Sequence, residues 1–464
     1  MKVKLEIVFL GIILLFGLFI RVYNLGVAPL WIDESISSIA AKEILEKGAP
    51  VFDSGLFYSR ALFYHYSEAF FLLFGVNDFN ARIASVIFGL ATILLVFFIG
   101  REYSKSGGVI SALFMSVFYL EVFFSRQARF YQLFQLMFFL SLYLLYKSRK
   151  NSKLLYYALG ALLIAIDTHT AGLVLTPFFI GFILLYHKPK WLASIPGALL
   201  LRDFISALRV STSGVGESLR GVYFERYSWY LRNIHYMLVL FVPGVIWGFF
   251  KQRLLTLLLV VPALILLFSL LSVKVFAFRY MYFSIFILVL YSSLLISFLY
   301  EKYGKIVLIS LVALVLLPSN LFFPLAGSII LDPVSTSFDD PSAPYTDYKS
   351  LDGSLVNDLR SGVLVSLFSS DVEWYIKKPD YVIPFSMSGM GNDSISLNGV
   401  DRYSGALILD YSFVSGYVIA DGFSVSKLNS LQREEFDLFV NGCELVENNQ
   451  DLRVYYCSES LKSK

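Results

Sequence analysis

The chain has 464 residues, 57% of them hydrophobic and only 16% charged, with a formal net charge of +3. That balance excludes an ordinary soluble globule, whose surface needs far more charge, and makes a bilayer the expected solvent. With no basic stripe, zinc-ligand spacing or recognition-helix pattern, nucleic acid is excluded as a partner, leaving membrane surface and small anions.

The first apolar run, 5–20, has no small-x-small cleavage site and is closed by Arg21. It therefore reads as a retained span and not as a signal peptide. Comparable runs follow at 81–100, 108–125, 130–146, 154–168, 170–186, 191–208, 236–250, 254–271, 280–300 and 306–323. Together they predict about eleven crossings of the hydrocarbon core. The run at 191–208 is the weakest, since it contains Arg202 and Asp203.

Cations collect in alternate connectors: Lys2 and Lys4, Arg101 and Lys105, Lys147 to Lys153, Lys188 and Lys190, Lys251 and Arg253, Lys302 and Lys305. By the positive-inside rule those connectors are cytoplasmic. An odd number of spans then places the loop 22–80 and everything after Pro324 outside the cell membrane. The expected organisation is a transmembrane domain over 1–324 and an extracytoplasmic α/β domain over 325–464.

In the second of these, a Pro, Ser and Asp-rich linker (332–347) precedes strand-like pieces at 363–367, 381–384, 406–409 and 417–420 and helix-like pieces at 371–378 and 427–441. The last two strands, 443–446 and 452–457, read as a hairpin. A turn near Gln450 would set Cys443 opposite Cys457, the only cysteines in the chain, as a disulfide suited to an oxidising exterior. Two buried thiols are the alternative. Asn392-Asp393-Ser394 has the pattern of a glycosylation acceptor.

Chemistry is expected in the outer loops. After Trp31-Ile32-Asp33-Glu34 the chain continues as a helix whose apolar residues Ile36, Ile39, Ala40, Ile44 and Leu45 would lie on the membrane interface. Asp33 would then sit at the hydrocarbon boundary, where a carboxylate can take the proton of a hydroxyl nucleophile. An Asp and Glu at a helix start are equally what N-capping and the helix dipole favour.

A second signal is Ser125-Arg126-Gln127-Ala128-Arg129-Phe130-Tyr131. Arg126 and Arg129, three apart, would share a helix face and suit a lipid-borne phosphate, or else snorkel to headgroups. Arg60 between Tyr58 and Tyr64, then His65, Lys274 and Arg279, are further anion contacts or interfacial anchors. Glu121, an acid inside the third span, and Asp167 with His169 at the end of the fifth, are candidates for a second acid. Asp33 and Glu34 could also hold a divalent metal ion, though two acids do not define a site.

The run from Arg21 through Leu25-Gly26 to Trp31-x-Asp33-Glu34 resembles the first outer loop of the GT-C fold, polyprenyl-phosphate-sugar-dependent glycosyltransferases, which include protein O-mannosyltransferases and the lipid A aminoarabinose transferase. Residues 80–89 are similar to the family's second-span entry and 119–131 to its Ser-Arg-x-Ala-Arg-x-Tyr segment. Phe278-Arg279-Tyr280 and the outward C-terminal domain are similar more loosely.

The resemblance implies that Asp33 is the catalytic acid/base supported by Glu34, and that transfer is extracytoplasmic and inverting. It also implies that Arg60 holds the lipid phosphate, although where members carry Pro-Pro-Leu this chain reads Arg60-Ala61-Leu62. The donor expected is a dolichyl or undecaprenyl monophosphate sugar, and the acceptor a glycan, protein or lipid. A nucleotide sugar is disfavoured, since no Gly-rich phosphate loop follows a strand. The competing class is a multi-pass lipid or glycan transporter or flippase, which would need a polar path at mid-depth.

Overall fold

The computed structural model describes residues 5–187, 237–269, 278–306, 309, 346–367, 369–383, 396–397, 400–401, 404–408, 415–428, 430–449 and 452–458. The chain divides into two compact units, Met1–Leu25 with Arg82–Thr336, and Gly26–Ala81 with Ser337–Lys464. The segment Gly26–Ala81 is thus grouped with the C-terminal residues and not with the helices that flank it.

The helical unit contains α1 (Leu5–Val22), most of α4 (Asp78–Arg101), α5 (Lys105–Val117), α6 (Tyr119–Ser125), α7 (Tyr131–Ser148), α8 (Leu154–Thr168), α9 (Thr176–Tyr186), α10 (Met237–Lys251), α11 (Arg253–Ser269) and α12 (Ile285–Tyr303). Short 3-10 turns lead into α9 and α12. Among the described residues, three helices are long and apolar enough to cross a membrane, four if the bent pair α5 and α6 is one span. Four shorter apolar helices accompany them. The predicted span 191–208, with Arg202 and Asp203, and most of 306–323 lie outside the described residues, as do Lys274 and Asn392-Asp393-Ser394.

The third predicted span is not a straight helix. It bends by 61° between α5 and α6, where Phe118 takes an extended conformation. Such a break strips carbonyls of their intrahelical donors, which cannot be left bare in hydrocarbon. Arg21, fully buried, supplies the replacement: its Nη1 donates to Ser116 O (2.9 Å) and its Nη2 to Met115 O (3.2 Å). Close helix approach makes this possible. A Cβ on Gly89 of α4 would stand 2.7 Å from Ser125 Cβ and 3.1 Å from Arg21 Nε, so only glycine fits there.

In the other unit the loop folds into α2 (Ile32–Lys47) and α3 (Leu62–Leu72), with Gly48 closing α2 in the left-handed region (φ 78°). Among its described residues the unit also holds an eight-stranded sheet in the order β3-β4-β5-β2-β1-β6-β8-β7. The strands are β1 (Leu364–Ser366), β2 (Tyr381–Val382), β3 (Ser396–Leu397), β4 (Val400–Asp401), β5 (Leu407–Ile408), β6 (Gly416–Asp421), β7 (Glu444–Asn449) and β8 (Leu452–Cys457). The central pairs β5-β2, β2-β1 and β1-β6 are parallel, and the flanking ones antiparallel.

Alternation along the strands decides which layer each residue joins. Val365, Val418 and Ala420 meet Phe436 and Phe439 of α16 (Ser430–Val440). Leu364 and Ile419 meet Leu355 and Leu359 of α13 (Gly353–Ser361) and Val372 of α14 (Ser369–Tyr375). The helix expected over 427–441 is α16, and a short helix, α15 (Gly422–Lys427), precedes it. Asp421 caps α15, its Oδ1 accepting from Ser424 N at 2.7 Å. β7 and β8 form a hairpin, with Cys443 and Cys457 joined by a disulfide.

Candidate active site

Asp33 lies in the first turn of α2, half-buried. It does not begin the helix as expected: the N-cap is Trp31, and Glu34, three residues on, accepts the Trp31 N–H at 3.3 Å. The capping duty therefore falls on Glu34, which is buried. Asp33 is left pointing from the second helical position.

The apolar face of α2 was expected on a membrane interface. Instead Ile36, Ile39 and Ala40 pack with Phe52, Leu56, Tyr58 and Trp374 in a closed cluster. Protein contacts, not lipid, fix this helix, because loop residues 52–58 and α14 supply an apolar surface on which the stripe can bury.

The carboxylates around α2 are more numerous than the sequence indicated. Asp371 of α14 is buried (4% exposed), and its pKa is pushed up to about 8, first by burial and then by Asp421, Glu34 and Asp33, with Ser35 opposing. Neither Asp371 Oδ1 nor the Ser35 hydroxyl completes a hydrogen bond of ordinary geometry, although they face one another closely enough for the hydroxyl to favour the carboxylate. Glu373 is raised to about 7, again chiefly by burial, with Lys42 and Lys378 opposing. Asp53 is held low by Lys47 and Lys378. No grouping of three or more His, Cys, Asp or Glu with the geometry to hold a metal ion occurs among the described residues.

At the junction with α4, Asp78 accepts from Trp374 Nε1 (2.8 Å) and Tyr375 Oη (2.9 Å) and pairs with Lys349 Nζ (2.5 Å). These contacts join residues some three hundred positions apart. No local pattern marks Asp78, Lys349, Trp374 or Tyr375, and Asp371 could be read only as a helix start.

Within the loop, Arg60 is exposed in the turn before α3, where Ala61 is left-handed (φ 53°). Tyr64 and His65 are fully buried on α3. The His65 ring meets those of Tyr58 and Tyr64 at 5.1 and 5.6 Å, and its Nδ1 lies 3.8 Å from Glu68. Glu68 in turn accepts from Ser38 of α2 at 2.7 Å. Glu68 thus ties α3 to α2, and His65 is buried beside it, a placement different from an outward anion contact.

In the helical unit, Arg126 and Arg129 do not share a helix face, because both fall in the turn between α6 and α7. Arg126 Nη1 donates to Ile20 O, Arg21 O and Tyr23 O at 3.0, 3.1 and 2.7 Å, capping the carbonyl end of α1. The Arg129 guanidinium lies over the rings of Phe130 and Tyr131 at 4.6 and 5.5 Å. Tyr131 opens α7 and packs edge-on against Phe124.

Glu121, on α6, accepts from Gln135 Nε2 and Tyr282 Oη, both at 2.7 Å. Gln132 joins the same network through Thr92 and Tyr282. An acid at that depth needs partners, and these supply them. Asp167 is half-buried near the end of α8, and His169 Nδ1 accepts from Ala171 N (3.1 Å) to cap the following 3-10 turn. Arg279 lies in the 3-10 turn before α12, with its side chain outside the described residues.

Comparison with known proteins follows the same outline. Residues 61–210 match the family described as dolichyl-phosphate-mannose-protein mannosyltransferase. Over 97% of both chains the structure is similar to ArnT from Cupriavidus metallidurans, at TM-score 0.62 and 10% identity in the apo state and 0.60 and 12% bound to undecaprenyl phosphate. It is also similar to the Archaeoglobus fulgidus oligosaccharyltransferase tethered with an acceptor peptide, at TM-score 0.53 and 11% identity over 94% of this chain and 72% of that one. The fold is GT-C.

No curated protein matches the chain by sequence. At these identities the GT-C likeness fixes the architecture and leaves the chemistry to the residues. The family match begins at Ala61, so it contains Glu121, Arg126, Arg129 and Tyr131 but not Asp33.

Proposed function

We propose that this GT-C protein is a membrane glycosyltransferase that moves a sugar from a polyprenyl monophosphate to an acceptor hydroxyl on the extracytoplasmic face. Asp33 takes the hydroxyl proton as the oxygen attacks the anomeric carbon. The bond from that carbon to the phosphate oxygen breaks with inversion, and polyprenyl phosphate leaves as the anion. The N-terminus is cytoplasmic, and the first loop and the C-terminal sheet are outside.

The observation that carries this reading is the match of residues 61–210 to a dolichyl-phosphate-mannose-dependent family, within a chain that follows the GT-C architecture along 97% of its length. Two features support it further. The Asp33 carboxyl is half-buried in a helix anchored by protein contacts, and the disulfide Cys443–Cys457 suits an oxidising compartment. The sugar is a hexose or pentose, and the acceptor a glycan, protein or lipid.

Asp33→Asn keeps size and hydrogen bonding but removes the base. Membranes containing the variant, supplied with polyprenyl phosphate mannose and a lysate of acceptors, are expected to lose transfer by at least about a hundredfold, with insertion and thermal stability unchanged. Full turnover by Asp33→Asn would sink the assignment.

A further inference from the structure

The C-terminal sheet has the plan of a doubly wound domain. From β1 the chain passes through α14 to β2 on one side, while β6 lies parallel on the other. The order therefore reverses between β1 and β6, and in open parallel sheets the crevice beyond the carboxyl ends at such a point is where ligands bind. Here that crevice receives α2. Asp371, just after β1, and Asp421, at the end of β6, lie together within electrostatic reach of Asp33, Glu34 and Ser35. Tyr348 closes the same cluster, buried beside Asp371 and Asp421 and stacked on Tyr375 at 5.8 Å.

The tightest link is the Tyr375 hydroxyl. It accepts the Leu30 N–H at 2.5 Å and donates to Asp78 Oδ2 at 2.9 Å, joining the residue just before the α2 cap to the first residue of α4. Lys349 reinforces the connection, donating to Gly26 O (2.7 Å) and Val27 O (3.3 Å) while paired with Asp78. Both ends of the first loop are thereby held by side chains of the C-terminal segment.

We propose that the C-terminal sheet is the positioning platform for Asp33, and that Tyr375 is its chief positioning residue, setting the first turn of α2 through the Leu30 amide and the Asp78 carboxylate. This rests on the reading of Asp33 as the base. At the switch point the first turn of α2 stands beside Asp371 and Asp421. The Tyr375 hydroxyl accepts one of these bonds and donates the other, and phenylalanine in its place keeps the ring while losing both.

The test uses the full chain in lipid nanodiscs. In Tyr375→Phe, amide hydrogen exchange of residues 28–36 is expected to quicken about tenfold, the loss of a hydrogen bond to a charged partner, with strands β1 and β6 unchanged. Transfer from polyprenyl phosphate mannose is expected to fall between about ten- and a hundredfold in kcat with KM for that donor unaltered, since small displacements of a reacting group have costs of that size. Lys349→Met serves as the second variant and should quicken exchange at 26–30.

Unaltered exchange at 28–36 in both variants would overturn the proposal, as would equal loosening of β1 and β6, which marks a merely structural role. Local loosening with unchanged kcat would likewise overturn the link to Asp33. The exchange measurement needs no substrate and decides the anchoring by itself, whereas an active Asp33→Asn variant would defeat the functional reading alone.

Discussion

Replacing Asp371 with Asn should flatten the pH dependence of stability in the unit that carries α2. The Asp371 carboxyl titrates at about 8 in the folded protein and at about 4 in an unfolded chain. Between those values the folded state holds a proton that the unfolded state has lost. Stability from this group is therefore complete below about pH 4, falls as pH rises, and is gone above about 8.

One proton of difference amounts to about 1.4 kcal/mol per pH unit, or tenfold in the opening equilibrium. From pH 5 to pH 7, Asp371 alone should thus make opening about a hundredfold easier. Glu373, raised to about 7, adds its own slope over a narrower window, which ends near pH 7.

Hydrogen exchange of β1 and β6, corrected for the intrinsic pH dependence of amide exchange, reads this directly. Asp371→Asn should lose about one proton's worth of slope and be better protected than the wild type at pH 7. Asp371→Asn with Glu373→Gln should be nearly flat. An unchanged slope in Asp371→Asn would refute the reasoning, since no buried acid at that position would then be titrating.

Arg126→Met removes the donor shared by the carbonyls of Ile20, Arg21 and Tyr23 and should destabilise the protein by about 2–4 kcal/mol, read as a lower melting temperature in detergent, with partial rescue by Arg126→Lys. A raised KM for polyprenyl phosphate mannose at unchanged melting temperature would show instead that Arg126 chiefly holds the phosphate. Replacing Cys443 and Cys457 by Ser opens a disulfide spanning 14 residues and should weaken the β7–β8 hairpin by about 3 kcal/mol, seen as faster proteolysis there. Protection equal to the wild type would contradict that estimate.

Much of the candidate site was legible locally. Asp33 and Glu34 stand out because an acidic pair follows Trp31 at the start of a helix, a pattern contained within a few residues. What that pattern left open was which acid caps the helix, and the backbone assigned it to Glu34 by placing the N-cap at Trp31, two residues before Asp33. Arg126 and Arg129 show the opposite case. Their spacing fits a helix face, but the break after Ser125 removes the helix, and the carbonyl end of α1 claims Arg126.

From sequence alone followed the membrane class, the near-full extent of α1 and α4, and the hairpin that could pair the two cysteines, because hydropathy over a span's length and a hairpin's register are local quantities; the structure chose the disulfide over two buried thiols. Tertiary structure alone decided the fate of α2 and of the charges around it. Its apolar stripe could bury in lipid or in protein, and only the fold brings Trp374, Tyr375 and Asp371 from beyond residue 360 to meet it. Contacts over such separations depend on chain topology, which no window of sequence contains.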